Sequence, residues 1–417
     1  VTTFARARRF RTSALATLAI VGPGIVAASA GNDSGGISTY SVAGARYGYT
    51  LLWAMLAMTP SFIMVQEMAG RMGAVTGKGL AALIRERFGV RSSFFAMLML
   101  LVSNAATTVA EFAGVAAAME LFGVSRYVSV PVAALVVWLL VSRGSFARTE
   151  KVLLALSSVF IAYVAAAFLS QPDWSQVASG FLVPHVEPSA EFVALAIGMT
   201  GTTIAPWMQF LVQSNIVDKG ITMKEWRIAR FDVMLGALLA NIIACFIIIT
   251  TATVLHPAGI SISDAGEAAQ ALAPVAGRYA TLLFAIGLLS ASILSAVVLP
   301  LTSAYGICEA FGWERGLDRT WSEAPAFNGI YTFIIVVGAA FILIPGLDLI
   351  TVMILSQVLN GILLPFLLIF IIKIVNDRRI MGRHVNSRIY NWFSWATIVV
   401  VFALTAALMV FTALGMT

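Results

Sequence analysis

Apolar runs of membrane length recur along the whole chain. They fall at about 13–42, 49–70, 93–120, 128–142, 151–170, 190–214, 230–255, 279–308, 328–345, 350–374 and 390–414. Runs of this length predict helices that cross a bilayer, eleven in all. The stretches between them are short, the longest being 171–191 and 256–278, so the chain reads as a single transmembrane domain with no soluble domain, low-complexity tract or separate linker. Gly77–Phe88 reads as a short amphipathic helix at the membrane surface, with Leu80, Leu83, Ile84 and Phe88 on one face.

Two of the runs are interrupted by polar residues where they should be most apolar. The first contains Ala30–Gly36, AGNDSGG, which places Asn32, Asp33, Ser34 and three glycines at membrane depth. A carboxylate there costs about 3 kcal/mol on insertion scales. Gly-Gly beside Ser and Asp also breaks a helix. Opened backbone at that depth survives only where protein buries it or a wet cavity lines it. The sixth run contains Thr200–Trp207, TGTTIAPW, where Gly201 and three threonines precede Pro206. Proline removes a backbone donor and clashes with the preceding turn. Taken alone, that run is equally a plain proline kink. Two interruptions five helices apart point instead to an inverted-repeat transporter with its site at the midplane. The repeats would span about 13–170 and 190–374, followed by an extra helix at about 390–414.

Composition agrees with a polytopic membrane protein. Of 417 residues, 60% are hydrophobic and 11% charged, with a mean hydropathy of +0.93; soluble domains carry about 25% charged residues. Placed on the map of runs, 23 of the 26 Lys and Arg fall on one side; Arg46, Arg126 and Arg278 fall on the other. The positive-inside rule then puts the N-terminus in the cytoplasm and, with eleven crossings, the C-terminus outside an inner or plasma membrane. The +6 balance arises from these loops and no aromatic residues are interleaved with it, so nucleic acid is not an expected partner. The basic residues before the first run precede a segment too long and polar for a cleavable signal. The chain opens on Val1, from which a missing N-terminal tail is expected. Cys245 and Cys308 lie in or at the ends of apolar runs and read as buried thiols. His185, His256 and His384 fall in loops, which leaves no histidine cluster within the membrane.

Asp33 is the acid that faces a break, and no Lys or Arg lies inside any predicted span except at its very ends (Lys151, Arg230, Lys373). An unpaired buried carboxylate either keeps its proton or binds a cation; the cation is the better fit. Carbonyls opened at Ala30–Gly31 and Gly201–Thr203 would add hard oxygen ligands. Glu111 is the other deep acid, either a neutral structural group or a neighbour of the pathway. Gln66 and Glu67 read as solvated near the end of the second helix. Gln357 and Asn360 share a helix face and either bridge helices or line the path. Gln209 and Gln213 continue from the sixth-run break toward an inner vestibule. Trp207 is a packing residue or a pathway residue.

These residues carry a resemblance. Gly22–Gly24, the Asp33 region, GARYGYTLLW at Gly44–Trp53, AGRMGAVTGKGLAALIRERFG at Ala69–Gly89, VAEFAG at Val109–Gly114, the sixth-run break and SQVLNGILLPF at Ser356–Phe366 are similar to the Nramp divalent-metal transporters. The resemblance covers nearly the whole chain. It implies the all-α LeuT-type membrane fold, two inverted five-helix halves plus helix 11. The family's signatures are an Asp-Pro-Gly-Asn run and a Met-Pro-His run. Here Asp33-Ser34-Gly35-Gly36 and Ala205-Pro206-Trp207 stand in their places. Thr108 stands where the family often has an acid, and Asn328–Tyr331 where arginines are expected. Ala205 removes a soft thioether that favours transition metals. Gly36 removes a side-chain ligand and leaves room for Mg²⁺, which keeps several waters. The lost His, acidic and Arg positions are those the family associates with proton movement.

The pattern thus resembles the Nramp-related magnesium transporter branch. It implies uptake of Mg²⁺, with Mn²⁺ a further cargo, driven by the ion gradient and a potential worth about 2.3 kcal/mol per charge per 100 mV. The expected metal site is Asp33, Gly36, Thr202, Ala205 and Gln357, with Ala30, Glu111, Trp207 and Gln209 along the path. Divalent cations and the bilayer are the expected partners, the chain is expected as a monomer, and no cofactor is expected. The alternative is a proton-coupled Mn²⁺/Fe²⁺ transporter. An amino-acid carrier of the same fold is disfavoured because Asp33 would repel a substrate carboxylate. An intramembrane aspartyl protease needs two facing acids in a suitable motif, which Glu111 does not provide.

Overall fold

The computed structural model describes residues 32–142, 161–316 and 319–415, and every regular element among them is helical. Gly22–Gly24, Ala30 and Gly31 lie outside the described residues, as do most of the first run and the first half of the fifth. The long helices are α1 (Ser34–Tyr47), α2 (Leu52–Thr76), α3 (Leu80–Glu120), α4 (Arg126–Ser142), α5 (Ala162–Leu169), α6 (Trp174–Leu182), α7 (Ala190–Thr203), α8 (Pro206–Asp218), α9 (Trp226–Val254), α10 (Ala280–Phe311), α11 (Pro325–Ile342), α12 (Leu349–Val375) and α13 (Arg388–Ala413). Short helical pieces occupy 265–279 and 378–381.

Seven spans among the described residues are long and apolar enough to cross a membrane, counting α7 and α8 as one broken span. Of the other predicted crossings, α2 is long but carries Gln66, Glu67 and Arg71 in its second half, and α4 has 17 residues. Large apolar side chains such as Val132 and Leu135 on α4 and Val399, Val400 and Met409 on α13 point outward. In a lipid-facing surface this is the ordinary arrangement.

The break between α7 and α8 divides the apolar interior. Met199 belongs to a core shared with Ile37, Tyr40, Phe112 and Ile247. Ile204, Ala205 and Trp207 belong to a second core with Phe62, Met68, Ile84 and Leu368. Helix α3 joins the two, packing along α10, α12 and α11. Helix α1 lies on α9 and α12, and α7 on α12 and α13. Two glycines set the closest of these approaches. A methyl group on Gly201 would strike the backbone of Gln357 and Gly361, and one on Gly361 would strike the backbone of Ile197.

At the basic end two expectations are corrected. Gln66 and Glu67 are not solvated; each is 3% exposed. Glu67 is paired with Arg71 at 3.2 Å and Arg230 at 3.3 Å. Arg71 also donates to the His384 carbonyl and, at 2.6 Å, to Asn386. Buried charge that is paired and hydrogen-bonded replaces water here. The amphipathic segment after α2 does not lie on lipid. Its apolar face, Leu80, Leu83 and Ile84, is buried in the second core, and Phe88 packs edge-on against Phe370. The segment is the first part of α3. Gly89, at φ 77° and ψ −174°, bends it away from the rest of that helix, a conformation that glycine adopts without penalty.

Gly361→Val should lower the thermal midpoint of the purified protein in detergent, because overpacking against backbone costs about 1–3 kcal/mol. Gly329→Ala, where an added methyl meets nothing within 4 Å, should leave the midpoint unchanged or raise it slightly.

Candidate functional site

Asp33 is the N-cap of α1. Its Oδ1 accepts the Gly36 N–H at 2.7 Å and its backbone carbonyl accepts the Ile37 N–H at 3.0 Å. The next residue reaches across to α3: the Ser34 N–H donates to Glu111 Oε2 at 3.3 Å. The Ser34 hydroxyl lies 2.9 Å from both Glu111 Oε2 and the Ala110 carbonyl, so one proton serves two acceptors. Glu111 Oε1 is buried without a hydrogen-bond partner. The N-terminal end of α1 therefore carries two carboxylates, held there by its own unpaired N–H groups and dipole.

Opposite lies the C-terminal end of α7. Its last turn contains Gly201, Thr202 and Thr203, then the chain leaves the helix at Ile204 (φ −121°, ψ 53°) and restarts with Pro206 at the first turn of α8. Carbonyls of a last turn have no following N–H of their own helix, and the dipole makes that end favourable to a cation. Thr202 is 1% exposed and its hydroxyl has no partner. Tyr40 ties α1 to the end of α7: Thr203 Oγ1 donates to the Met199 carbonyl at 2.7 Å, so it accepts the Tyr40 hydroxyl at 2.8 Å. A small crevice of about 10 Å³ runs beside the site, lined by Asn32, Tyr40, Thr202, Thr203, Met208 and Asn241 among others.

Gln357 on α12 closes the third side. A methyl group on Gly35 would strike its Nε2, so the Gln357 amide lies directly on the α1 backbone. Its orientation follows from a chain of bonds. Thr107 Oγ1 donates to the Ser103 carbonyl at 3.0 Å and hence accepts from Asn360 Nδ2 at 2.9 Å. The other Asn360 amide proton goes to Gln357 Oε1 at 3.0 Å, and Ser103 donates to Asn360 Oδ1 at 2.6 Å. Gln357 is left with its NH₂ group toward the site, buried and without a partner. Ligation through Oε1 requires this chain to reverse.

Of the residues predicted from sequence, the structure places Asp33, Gly36, Glu111, Thr202 and Gln357 around the start of α1 and the end of α7, with Ala205 at the α7–α8 joint, 1% exposed. Gln209 does not open onto a vestibule. It is fully buried, and its amide lies against the break; the orientation that satisfies both of its polar atoms points the nitrogen at the Ala205 and Pro206 carbonyls, 2.7 and 2.8 Å away. Gln213 is likewise buried and donates to the Lys78 carbonyl at 2.8 Å. Trp207 is fully buried in the second core with its indole N–H unpartnered. Among the described residues no three His, Cys, Asp or Glu side chains gather as a metal cage.

Sequence reasoning overlooked the polar stripe of α3. Ser103, Thr107 and Glu111 recur every four residues, the interval that stacks side chains on one helix face, and Gly114 continues that face. The spacing alone would have shown it.

A helical bundle that buries a carboxylate between the start of one helix and a break in another has the architecture of a secondary transporter of the LeuT type. Solved structures bear out the fold. The manganese transporter of Eremococcus coleocola, crystallised with an aromatic bis-isothiourea compound, superposes with a TM-score of 0.75 at 23% identity, covering 95% of this chain and 87% of that one. MhsT in complex with L-phenylalanine (TM-score 0.59, 16% identity, 94% and 97% covered) and Mhp1 in a closed conformation (0.56, 17%, 94% and 91%) share it. Residues 24–411 match the family described as Nramp, natural resistance-associated macrophage protein-like. The divalent metal cation transporter MntH of Erwinia tasmaniensis is 30% identical over 420 residues, 98% of each chain. The chain belongs to the Nramp family of membrane transporters.

Asn360→Leu should destabilise the protein by about 1–3 kcal/mol, read as a lower thermal midpoint in detergent, because it strands Ser103 and Gln357 without partners. Adding Ser103→Ala should recover part of the loss.

Proposed function

We propose that this chain is a divalent-metal transporter of the MntH type that carries Mg²⁺, with Mn²⁺ as a further cargo, into the cell without moving protons. The observation that carries the reading is Ala205. Where α7 stops and α8 starts, the side chain facing the joint is a methyl group, buried and without a donor. The groups that remain at the two breaks are oxygens and amides: the Asp33 carboxylate, the last-turn carbonyls of α7, the Thr202 hydroxyl and the Gln357 amide. Hard oxygens and few carboxylates suit an ion that holds part of its hydration shell. Asp33 binds the ion directly or through its waters, and Gly36 and Ala205 leave room for those waters. Alternating access follows from rocking of α1, α7 and α8 with their partners against α3 and α10. The inside-negative potential supplies the drive, with the N-terminus in the cytoplasm of an inner or plasma membrane.

One observation favours the second reading, a proton-coupled Mn²⁺/Fe²⁺ transporter. Met208, one turn beyond Ala205, lines the crevice beside Thr202 and Asn32, and a thioether is a ligand for softer metals.

Liposome uptake with a pH reporter inside separates the two. The protein should take up Mg²⁺ with a flat internal pH, and Asp33→Ala should slow uptake at least tenfold; acidification in step with metal would establish the second reading. Ala205→Met should favour Mn²⁺ or Cd²⁺ over Mg²⁺ by about tenfold in competition uptake, equivalent to about 1.4 kcal/mol.

A further inference from the structure

We infer that Ser34 is a positioning residue that fixes Glu111 as the second carboxylate of the cargo site, with Oε1 as the acceptor for a water carried by the ion. This rests on the reading of a partly hydrated divalent cargo and names the group that receives its hydration shell.

Three observations converge on one contact. The Ser34 N–H and hydroxyl both reach Glu111 Oε2, at 3.3 and 2.9 Å. Gly114, three residues beyond Glu111 on the same face of α3, makes the room: a methyl group there would strike Ser34 Cβ and the Ser292 hydroxyl. Glu111 Oε1 is fully buried with no hydrogen-bond partner. A buried carboxylate oxygen without a donor is costly, and a divalent ion with bound water answers that fault: its water donates to Oε1. Oε2 is committed to Ser34, so the carboxylate cannot rotate away.

The backbone part of this hold depends on residue type. Proline has no N–H, so Ser34→Pro deletes both donors. The position nevertheless accepts proline, since it is the first residue of α1 after the Asp33 cap, where helices tolerate proline best. Ser34→Ala deletes the hydroxyl alone, and Ser34→Thr keeps both donors.

Concentration-dependent uptake into liposomes, measured in parallel with Mg²⁺ and with Mn²⁺, tests the assignment. The half-saturating metal concentration should stay within twofold for Ser34→Thr, rise about threefold for Ser34→Ala and about tenfold or more for Ser34→Pro, with maximal rates changed less. In a Glu111→Gln background the same three substitutions should have no further effect, because Ser34 acts through that carboxylate. Equal effects of Ser34→Pro with and without Glu111→Gln would overturn the inference, as would a fall in maximal rate alone. Transport of Mn²⁺ with protons and not Mg²⁺ would refute the proposed cargo while the pairwise comparison, made with Mn²⁺, still decides the role of Ser34.

Discussion

The structure depends on how one acid is held at the start of a helix inside the membrane. Asp33 caps α1, and the amides of that first turn go to two carboxylates, its own and that of Glu111. Opened backbone in hydrocarbon is tolerated only when its polar groups are met by protein or water. The first turn of α1 meets that demand with side chains of α1 and α3. The consequence is a matter of placement: two acidic side chains gather at the N-terminal end of α1, facing the carbonyl end of α7, and no Lys or Arg lies in the described parts of either helix beyond Arg46 at the far end of α1. Both features favour a cation between them.

The scaffold around this centre is built for close approach at chosen points. Gly201 and Gly361 let the backbones of α7 and α12 meet, and Gly114 lets α3 take in Ser34. Small residues of this kind let membrane helices associate through packing where there is no hydrophobic drive between them. They also hold polar groups in register. The chain from Ser103 through Asn360 to Gln357 spans α3 and α12, and the direction of its bonds decides which edge of the Gln357 amide the site sees. A hydrogen-bond chain with two possible directions is a switchable element, and its fully buried position keeps water from resolving the choice.

Much of this was legible in the sequence because a bilayer makes polar residues conspicuous. Asp33 and Pro206 stand out against apolar runs, and the pairing of the two interruptions pointed to the LeuT-type fold that the solved structures share. Other features were hidden for physical reasons. Glu67 lies near a predicted helix end, where water is the default partner; only the tertiary structure brings Arg230 and Arg71 to it. Leu80, Leu83 and Ile84 form an amphipathic face that fits lipid and protein equally well, and periodicity cannot tell which covers it. Gln209 follows a break and reads as a pathway residue, yet the Ala205 and Pro206 carbonyls lie within reach of its own amide. In each case the sequence shows a group in need of a partner, and folding chooses the partner.

Selectivity at such a site rests on what the break does not offer as much as on what it does. A thioether at the joint would hold a dehydrated transition metal by direct contact. A methyl group there, as at Ala205, leaves the ion's coordination to be completed by oxygen, and an ion that sheds water reluctantly brings those oxygens with it. Recognition then moves outward from the metal to its waters. The protein must supply acceptors at fixed positions one water away from the ion, and they must be kept dry and in place. A carboxylate pinned by two donors on one oxygen and left bare on the other is such an acceptor. Apolar cores lie on either side of the break, one holding Met199 and the other Ile204, and Glu111 itself is fully buried. On the proposed reading, Met208 would offer a softer metal a thioether only from the crevice, since the joint itself carries the Ala205 methyl group.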